Sequence, residues 1–351
     1  MDIRMKAFTL TTYGAPFEEA TLPTPVPGPG QVLVRMAAAG INHADERSRS
    51  GQFKLLYRPK LPVIAGSELS GDIVAIGEGV SGFSVGDSVV AYTGVVDQGA
   101  WAELALVEAA ALARAPRRLS LTEAAALPVA GLTAWQALVA MGDLQPGQRV
   151  LIHGGSGGVG TIAIQLAKHL GATVITTVSA RNAEFVRSLG ADQVIDYAAE
   201  DFVTVLEQAP VDLVLDTQGG DITMRSLEVV RRGGLVVGIA GTPDPAMADQ
   251  AGAPRLVKAV LAVVSARLRR RARRLGVTYR FLFIEPDGAA LSSLAGLADE
   301  GTLRPVVGRV LPFDHTPEAV QAVLAGGARG KVLVSTDPAA VTADSAHPAA
   351  E

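Results

Sequence analysis

Three glycines, Gly155, Gly157 and Gly160, stand between the apolar run Val150 to His153 and the helical run Thr161 to Leu170. The spacing G-x-G-x-x-G carries chemical meaning when a strand ends and a helix begins around it, and both flanks are present here. A tight turn, a close approach of backbone to a pyrophosphate and a close helix-to-strand contact each exclude a Cβ. Ser156, Gly158 and Val159 complete the loop, and the unpaired amides of the new helix face the phosphates. The loop therefore predicts a dinucleotide site.

The second chemical signal is a missing carboxylate. In dinucleotide folds an acidic residue about 20 residues beyond the glycines pairs with a ribose 2′-hydroxyl. Here the second strand ends Thr176-Thr177-Val178-Ser179-Ala180-Arg181-Asn182, without an acid. Ser179 can donate a hydrogen bond and Arg181 a charged fork to a 2′-phosphate, which favours NADPH over NADH. The alternative for Arg181 is a solvated residue at a helix start.

The elements that position these groups follow from patterning. Residues 1–124 read as short strands and turns, among them Lys6 to Leu10, Gln31 to Ala38, Gly71 to Ile76, Ser88 to Tyr92 and Ala100 to Val107, with Pro- and Gly-rich segments between. A helix is expected over Leu121 to Met141 with Thr122 as its cap. Residues 125–285 alternate strand and helix, with strands at Val150 to His153, Val174 to Val178, Gln193 to Asp196, Leu213 to Asp216, Leu235 to Ile239 and Tyr279 to Phe283. That alternation implies an α/β fold with a doubly wound parallel sheet. Residues 286–340 return to short strands that suit the first part, and residues 341–351 form a small, polar, frayed tail.

With 48% hydrophobic residues, 19% charged residues and a net charge of −4, the chain reads as globular and cytoplasmic, with no nucleic-acid partner expected. The absence of cysteine excludes disulfides, thiolate catalysis and zinc sites that need sulfur. The uncharged run Ala124 to Gly142 has membrane length, but Pro128, Gly131, Thr133 and Gln136 favour a buried helix. One local exception to the negative balance is Met247 to Gly276, an amphipathic stretch ending in six arginines between Arg267 and Arg274. A solvated face whose arginine stems cover apolar surface is the first reading, and contact with anionic membrane or RNA the second.

Several segments together resemble the zinc-independent quinone reductase branch of the medium-chain dehydrogenase/reductase superfamily. They are Gly40 to Asp45, Gly66 to Gly71, Gly86-Asp87, Gly99 to Glu103, Leu127 to Trp135, the glycine loop, Leu189 to Asp192 with Ile195-Asp196-Tyr197, and Gly330-Lys331. The resemblance implies a Rossmann domain flanked by a β-rich, GroES-like substrate domain built from both chain ends, with a cleft at their junction. It also implies the absence of metal. Relatives that hold zinc have cysteine where Asn42 stands and histidine where Ser67 stands, leaving His43 and Glu68 as polar members of cleft or core.

The same resemblance assigns Asn42 and Thr133 to the nicotinamide end, Ile239, Ala240 and Phe283 to the carboxamide side, and Tyr197 to the 2′-phosphate. Each has a structural alternative: a turn for Asn42, a cap for Thr133, core packing for Ile239 and Phe283. Arg47 and Phe53 replace tyrosines usual in the bacterial quinone reductases, so the pocket departs from theirs. Asn42, Asp45 and Tyr57 are the catalytic candidates, and Tyr92 is a further possible proton donor. The expected acceptor is a quinone, or alternatively an enone or enoyl double bond. A reading of another class is a non-catalytic NADPH-binding protein with a structural or RNA-binding role. The family commonly dimerises through its last Rossmann strand, here Tyr279 to Phe283.

Overall fold

The computed structural model describes residues 4–54 and 60–342. Eight strands come first: β1 (Arg4–Leu10), β2 (Glu18–Pro23), β3 (Gln31–Ile41), β4 (Val63–Ile64), β5 (Glu68–Ile76), β6 (Ser88–Tyr92), β7 (Leu104–Glu108) and β8 (Leu112–Arg114). Six then form one sheet: β9 (Arg149–His153), β10 (Thr173–Val178), β11 (Gln193–Asp196), β12 (Val211–Asp216), β13 (Val230–Gly238) and β14 (Thr278–Phe281). The chain closes with β15 (Val307–Pro312) and β16 (Lys331–Ser335).

The central sheet has the order β11-β10-β9-β12-β13-β14 and is parallel throughout. This is the doubly wound arrangement, and it explains why its strands read as apolar runs: Leu213 to Leu215 and Val150 to Ile152 are covered on both faces. The strand-rich part runs β15-β16-β3-β5-β6-β8, with β7 also on β3 and a separate β2-β1-β4 sheet. The last strand, β16, lies antiparallel to β3 with Val332 opposite Ile41. A segment from the chain's end is thereby woven beside residues near its start, and Lys331 arrives next to Asn42.

Two expectations are corrected. The helix expected over Leu121 to Met141 is broken into Leu121–Ala124, Pro128–Trp135 and a π-helical turn Gln136–Met141. Its cap is Ser120, not Thr122. The Ser120 hydroxyl accepts from the Glu123 amide at 3.2 Å, while the Glu123 carboxylate accepts from the Ser120 amide at 2.9 Å. That reciprocal pair requires a Glu three residues after the cap, a spacing that only Ser120 satisfies. The stretch has membrane length and apolarity, but it is mostly buried inside the fold.

Five helices matter below: α1 (His43–Arg49), α2 (Pro128–Trp135), α3 (Gly158–His169), α4 (Arg255–Val264) and α5 (Ala266–Leu275). The last two occupy the arginine-rich stretch and are parted at Ser265. Its hydroxyl donates to the Leu261 carbonyl at 2.6 Å, a back-bond that bends helices.

Candidate active site

The glycine loop sits between β9 and α3, and its spacing is enforced by neighbours. A Cβ on Gly155 would lie 2.1 Å from Thr176 Oγ1, and one on Gly160 would lie 2.3 Å from the Gly154 carbonyl oxygen. Gly157 is different: its nearest neighbour would be the Gly154 carbonyl oxygen at 3.4 Å, so the space before it is free of protein. Gly157 is the N-cap of α3 and no side chain caps the helix. The first amides of α3 are thus left for a ligand, and an anion is favoured there by the helix dipole.

The loop is held from the other side by the turn before β16. The Gly330 amide donates to the Ser156 carbonyl at 2.9 Å, and Gly157 and Gly330 form a parallel bridge. Gly330 has φ +72°, and a Cβ there would meet the Val306 carbonyl oxygen at 2.1 Å. Only glycine fits the turn that joins the two sheets.

Its neighbours on either side reach the two ends of the site. Arg329 donates from Nε to Asn182 Oδ1 at 2.8 Å and from Nη2 to the Arg181 carbonyl at 2.9 Å. Asn182 in turn donates to Ser156 Oγ at 3.2 Å and Ser179 Oγ at 3.3 Å. Ser179, Arg181 and Tyr197 therefore gather at the ends of β10 and β11, as expected, and Tyr197 is 67% exposed. Neither Arg181 nor Arg329 has an ion-pair partner among the described residues. Arg329 was not foreseen, because it lies 147 positions from Asn182.

On the other side, the Lys331 ammonium donates to Glu68 Oε1 at 2.6 Å and also to Asn42 Oδ1. Asn42 Nδ2 donates to the same Glu68 oxygen at 2.9 Å, and the second Glu68 oxygen accepts from the Val129 amide at 2.7 Å. Glu68 is fully buried, with the Lys331 side chain 7% exposed. A buried carboxylate requires partners of this kind. The Lys331 stem runs beside Gly158, where a Cβ would lie 2.6 Å from its Cδ. Asn42 itself is half-buried, and its second amide hydrogen is not taken by Glu68. The sequence signal for this pair was Glu68 within the Gly66 to Gly71 segment and the Gly330-Lys331 dipeptide, but neither revealed the pairing.

The remaining candidates divide. Thr133 lies one turn after Val129, so it does reach this region, but its hydroxyl donates to the Val129 carbonyl at 2.6 Å. Ile239 and Ala240 follow β13, where the Ile239 amide donates to the Asp216 carbonyl at 2.9 Å. The Phe283 ring meets Phe53 edge-on, with centroids 6.3 Å apart. Asp45 is 3% exposed: Oδ2 accepts from the Asn42 amide at 2.7 Å in the capping box of α1, and Oδ1 accepts from Ser67 Oγ at 3.4 Å. Tyr92 is fully buried. Tyr57 lies outside the described residues.

Burial pushes the Asp45 carboxyl up to about 7, against the opposing pull of the Asn42 amide and of Lys331. The folded protein then holds a proton on Asp45 that the unfolded chain releases near pH 4, so this group's contribution to stability falls as pH rises between those values. Asp45→Asn removes the titration while keeping an acceptor. Thermal melts of both proteins should show the difference in stability moving against the wild type by on the order of 2 kcal/mol from about pH 5 to about pH 8. A constant difference would contradict a protonated Asp45.

Residues 28–117 match the alcohol dehydrogenase GroES-like domain and residues 189–334 the zinc-binding dehydrogenase family. The mitochondrial NAD(P)H oxidoreductase RTN4IP1 of Danio rerio is 36% identical over 326 residues, 88% of this chain and 84% of the relative. The 2-methylene-furan-3-one reductase of Solanum lycopersicum is 33% identical over 348 residues, 95% of this chain and 80% of the relative. Among solved structures, the Escherichia coli quinone oxidoreductase in complex with NADPH superposes with a TM-score of 0.77 at 25% identity, covering 94% of this chain and 99% of the other.

Zinc does not fit this donor set. Asn42 and Ser67 offer a neutral amide and a hydroxyl where a thiolate and an imidazole would be needed, and Glu68 is already neutralised by an ammonium. Among the described residues no group of three or more His, Cys, Asp or Glu could hold a metal ion.

Proposed function

Because this chain belongs to the zinc-independent quinone oxidoreductase branch of the medium-chain dehydrogenase/reductase superfamily, it is an NADPH-dependent oxidoreductase, and we propose that its acceptor is a quinone. NADPH, when bound, supplies the hydride; the protein's task is to bind, orient and keep water out. The glycine loop fits a pyrophosphate by the open space before Gly157 and the uncapped start of α3. Ser179, Arg181, Tyr197 and Arg329 would hold the 2′-phosphate.

The observation that carries the acceptor is the bonding of Asn42. Lys331 donates to its oxygen and Glu68 accepts from its nitrogen, so the amide cannot flip, and its remaining N–H, without a partner among the described residues, can donate to a carbonyl oxygen. Such a donor stabilises the oxyanion that develops as hydride arrives. An enone would in addition need a proton at carbon. Among the described residues the foreseen donors are shielded from the cleft by burial: Asp45 is 3% exposed and Tyr92 is fully buried. A quinone has no such need: hydride delivery leaves a hydroquinone monoanion, whose one missing proton goes to oxygen and can come from water. Assay of one preparation with NADPH against a quinone panel and an enone panel tests this, and preferential reduction of the enones would overturn it.

Arg181→Ala and Arg329→Gln should each raise the Michaelis constant for NADPH by about tenfold to a hundredfold, as loss of a charged hydrogen bond does, and leave that for NADH nearly unchanged. Equal effects on both cofactors would remove the two arginines from the 2′-phosphate. Strand β14 ends the central sheet with one edge unpaired among the described residues, and exposed Thr278 and Arg280 alternate with buried Tyr279 and Phe281. Pairing of that edge with a second copy is the proposed route to a homodimer.

A further inference from the structure

We propose that α4 and α5 form a docking face for the headgroup region of an anionic lipid bilayer. Residues 251–284 contain nine arginines and lysines and no aspartate or glutamate; with −4 overall, −4 − 9 leaves −13 for the rest of the chain. This concentration is local and opposite in sign to its surroundings.

Exposure shows where the face lies. On α4, Leu256, Val263 and Val264 are 76%, 76% and 61% exposed, and Val260 is 40% exposed. The buried side of the pair is Leu261, Leu268 and Ala272, packed on the core beside β14. The hydrogen-bond ladder continues through the bend: Ser265 N donates to the Leu261 carbonyl and Arg269 N to the Ser265 carbonyl, both at 2.9 Å. At 100° per residue, positions 256, 260, 263 and 264 on α4 and 267, 270, 271 and 274 on α5 then fall within an arc of about 120° whose centre is turned about 120° from the buried residues. Four aliphatic side chains are followed along one stripe by four guanidiniums. Arg271 pairs with Glu228 at 2.7 Å, whereas Arg267, Arg270 and Arg274 have no ion-pair partner among the described residues.

The chemistry selects the occupant. An apolar half-stripe joined to a cationic half-stripe matches the boundary of an anionic bilayer, where acyl chains and phosphates lie at adjacent depths. A second copy docked symmetrically on this face would bring the arginines against themselves. RNA would leave the aliphatic half uncovered, and the stripe offers no aromatic ring on which a base could stack.

Cosedimentation of the full chain with vesicles tests the proposal. Binding is expected to phosphatidylcholine vesicles containing about 30% phosphatidylglycerol, to weaken as salt is raised, and to be absent from phosphatidylcholine alone. The triple variant Arg267→Gln, Arg270→Gln, Arg274→Gln and the separate variant Leu256→Gln, Val263→Gln should each lower the bound-to-free ratio by about tenfold or more. Thermal melts and NADPH titration should match the wild type in both, since these side chains are exposed and outside the cofactor site. Failure to bind the anionic vesicles overturns the proposal. So does binding that the arginine variant loses but the apolar variant keeps, which marks a polyanion site. A change of oligomeric state in the apolar variant without vesicle binding marks an interface between copies instead.

Discussion

Lys331→Met should cost about 3–5 kcal/mol of stability, because it leaves the fully buried Glu68 carboxylate without its cation. Turnover should fall further than stability explains. With the ammonium gone, Asn42 Oδ1 loses its donor and the amide is free to rotate, and misplacement of a substrate-orienting group by about 1 Å costs on the order of a hundredfold in rate. The double variant Glu68→Gln, Lys331→Met separates the two effects. It removes both charges, so most of the stability should return, while kcat for quinone reduction stays low. Guanidinium denaturation and steady-state kinetics on the three proteins check this. Recovery of kcat together with stability would mean that the pair only holds the fold.

The second large effect concerns the loop itself. Gly157→Ala should fold normally, since the added methyl would meet protein no closer than 3.4 Å, yet it should weaken NADPH binding by about a hundredfold by standing where backbone must approach the pyrophosphate. Gly160→Ala should lose both binding and stability, because its methyl would lie 2.3 Å from the Gly154 carbonyl oxygen and 2.7 Å from the Gly155 Cα, neither of which can yield. Melting curves with and without NADPH distinguish the two. Normal affinity in the stable Gly157→Ala protein would move the pyrophosphate away from this loop.

The contrast between these two sites shows what the sequence could reveal. The glycine loop is local: spacing, a preceding apolar run and a following helix all lie within residues 150–170, so its geometry was readable in one dimension. Ser179, Arg181 and Tyr197 were readable for the same reason, since they sit at the ends of strands whose apolar patterning is plain. Arg329, Gly330 and Lys331 were not. Their roles depend on β16 pairing with β3 in the register that sets Val332 against Ile41, across 289 positions between Lys331 and Asn42. Nothing local in a polar turn announces such a partner. Asp45 and Thr133 illustrate the converse: both residue types suit catalysis, but helix geometry absorbs them, one as a cap for α1 and the other as a back-bond within α2. Residue identity located them near the site, and only the hydrogen-bond partners showed what they do there.

The three residues of that turn also link the central sheet to the strand-rich part at the proposed site. Arg329 reaches the end of β10, Gly330 grips the glycine loop and Lys331 fixes Asn42, so one short segment ties together the three parts of the proposed site. A shift of the turn would disturb all three at once.

Hydride transfer is tested most directly by mixing the purified protein, with dioxygen excluded, with a quinone and NADPH carrying deuterium at the transferable position. The Asn42 arrangement predicts one hydroquinone formed for each NADPH consumed, with slower turnover than for unlabelled NADPH. NADPH that binds tightly but is not consumed with any quinone would contradict it.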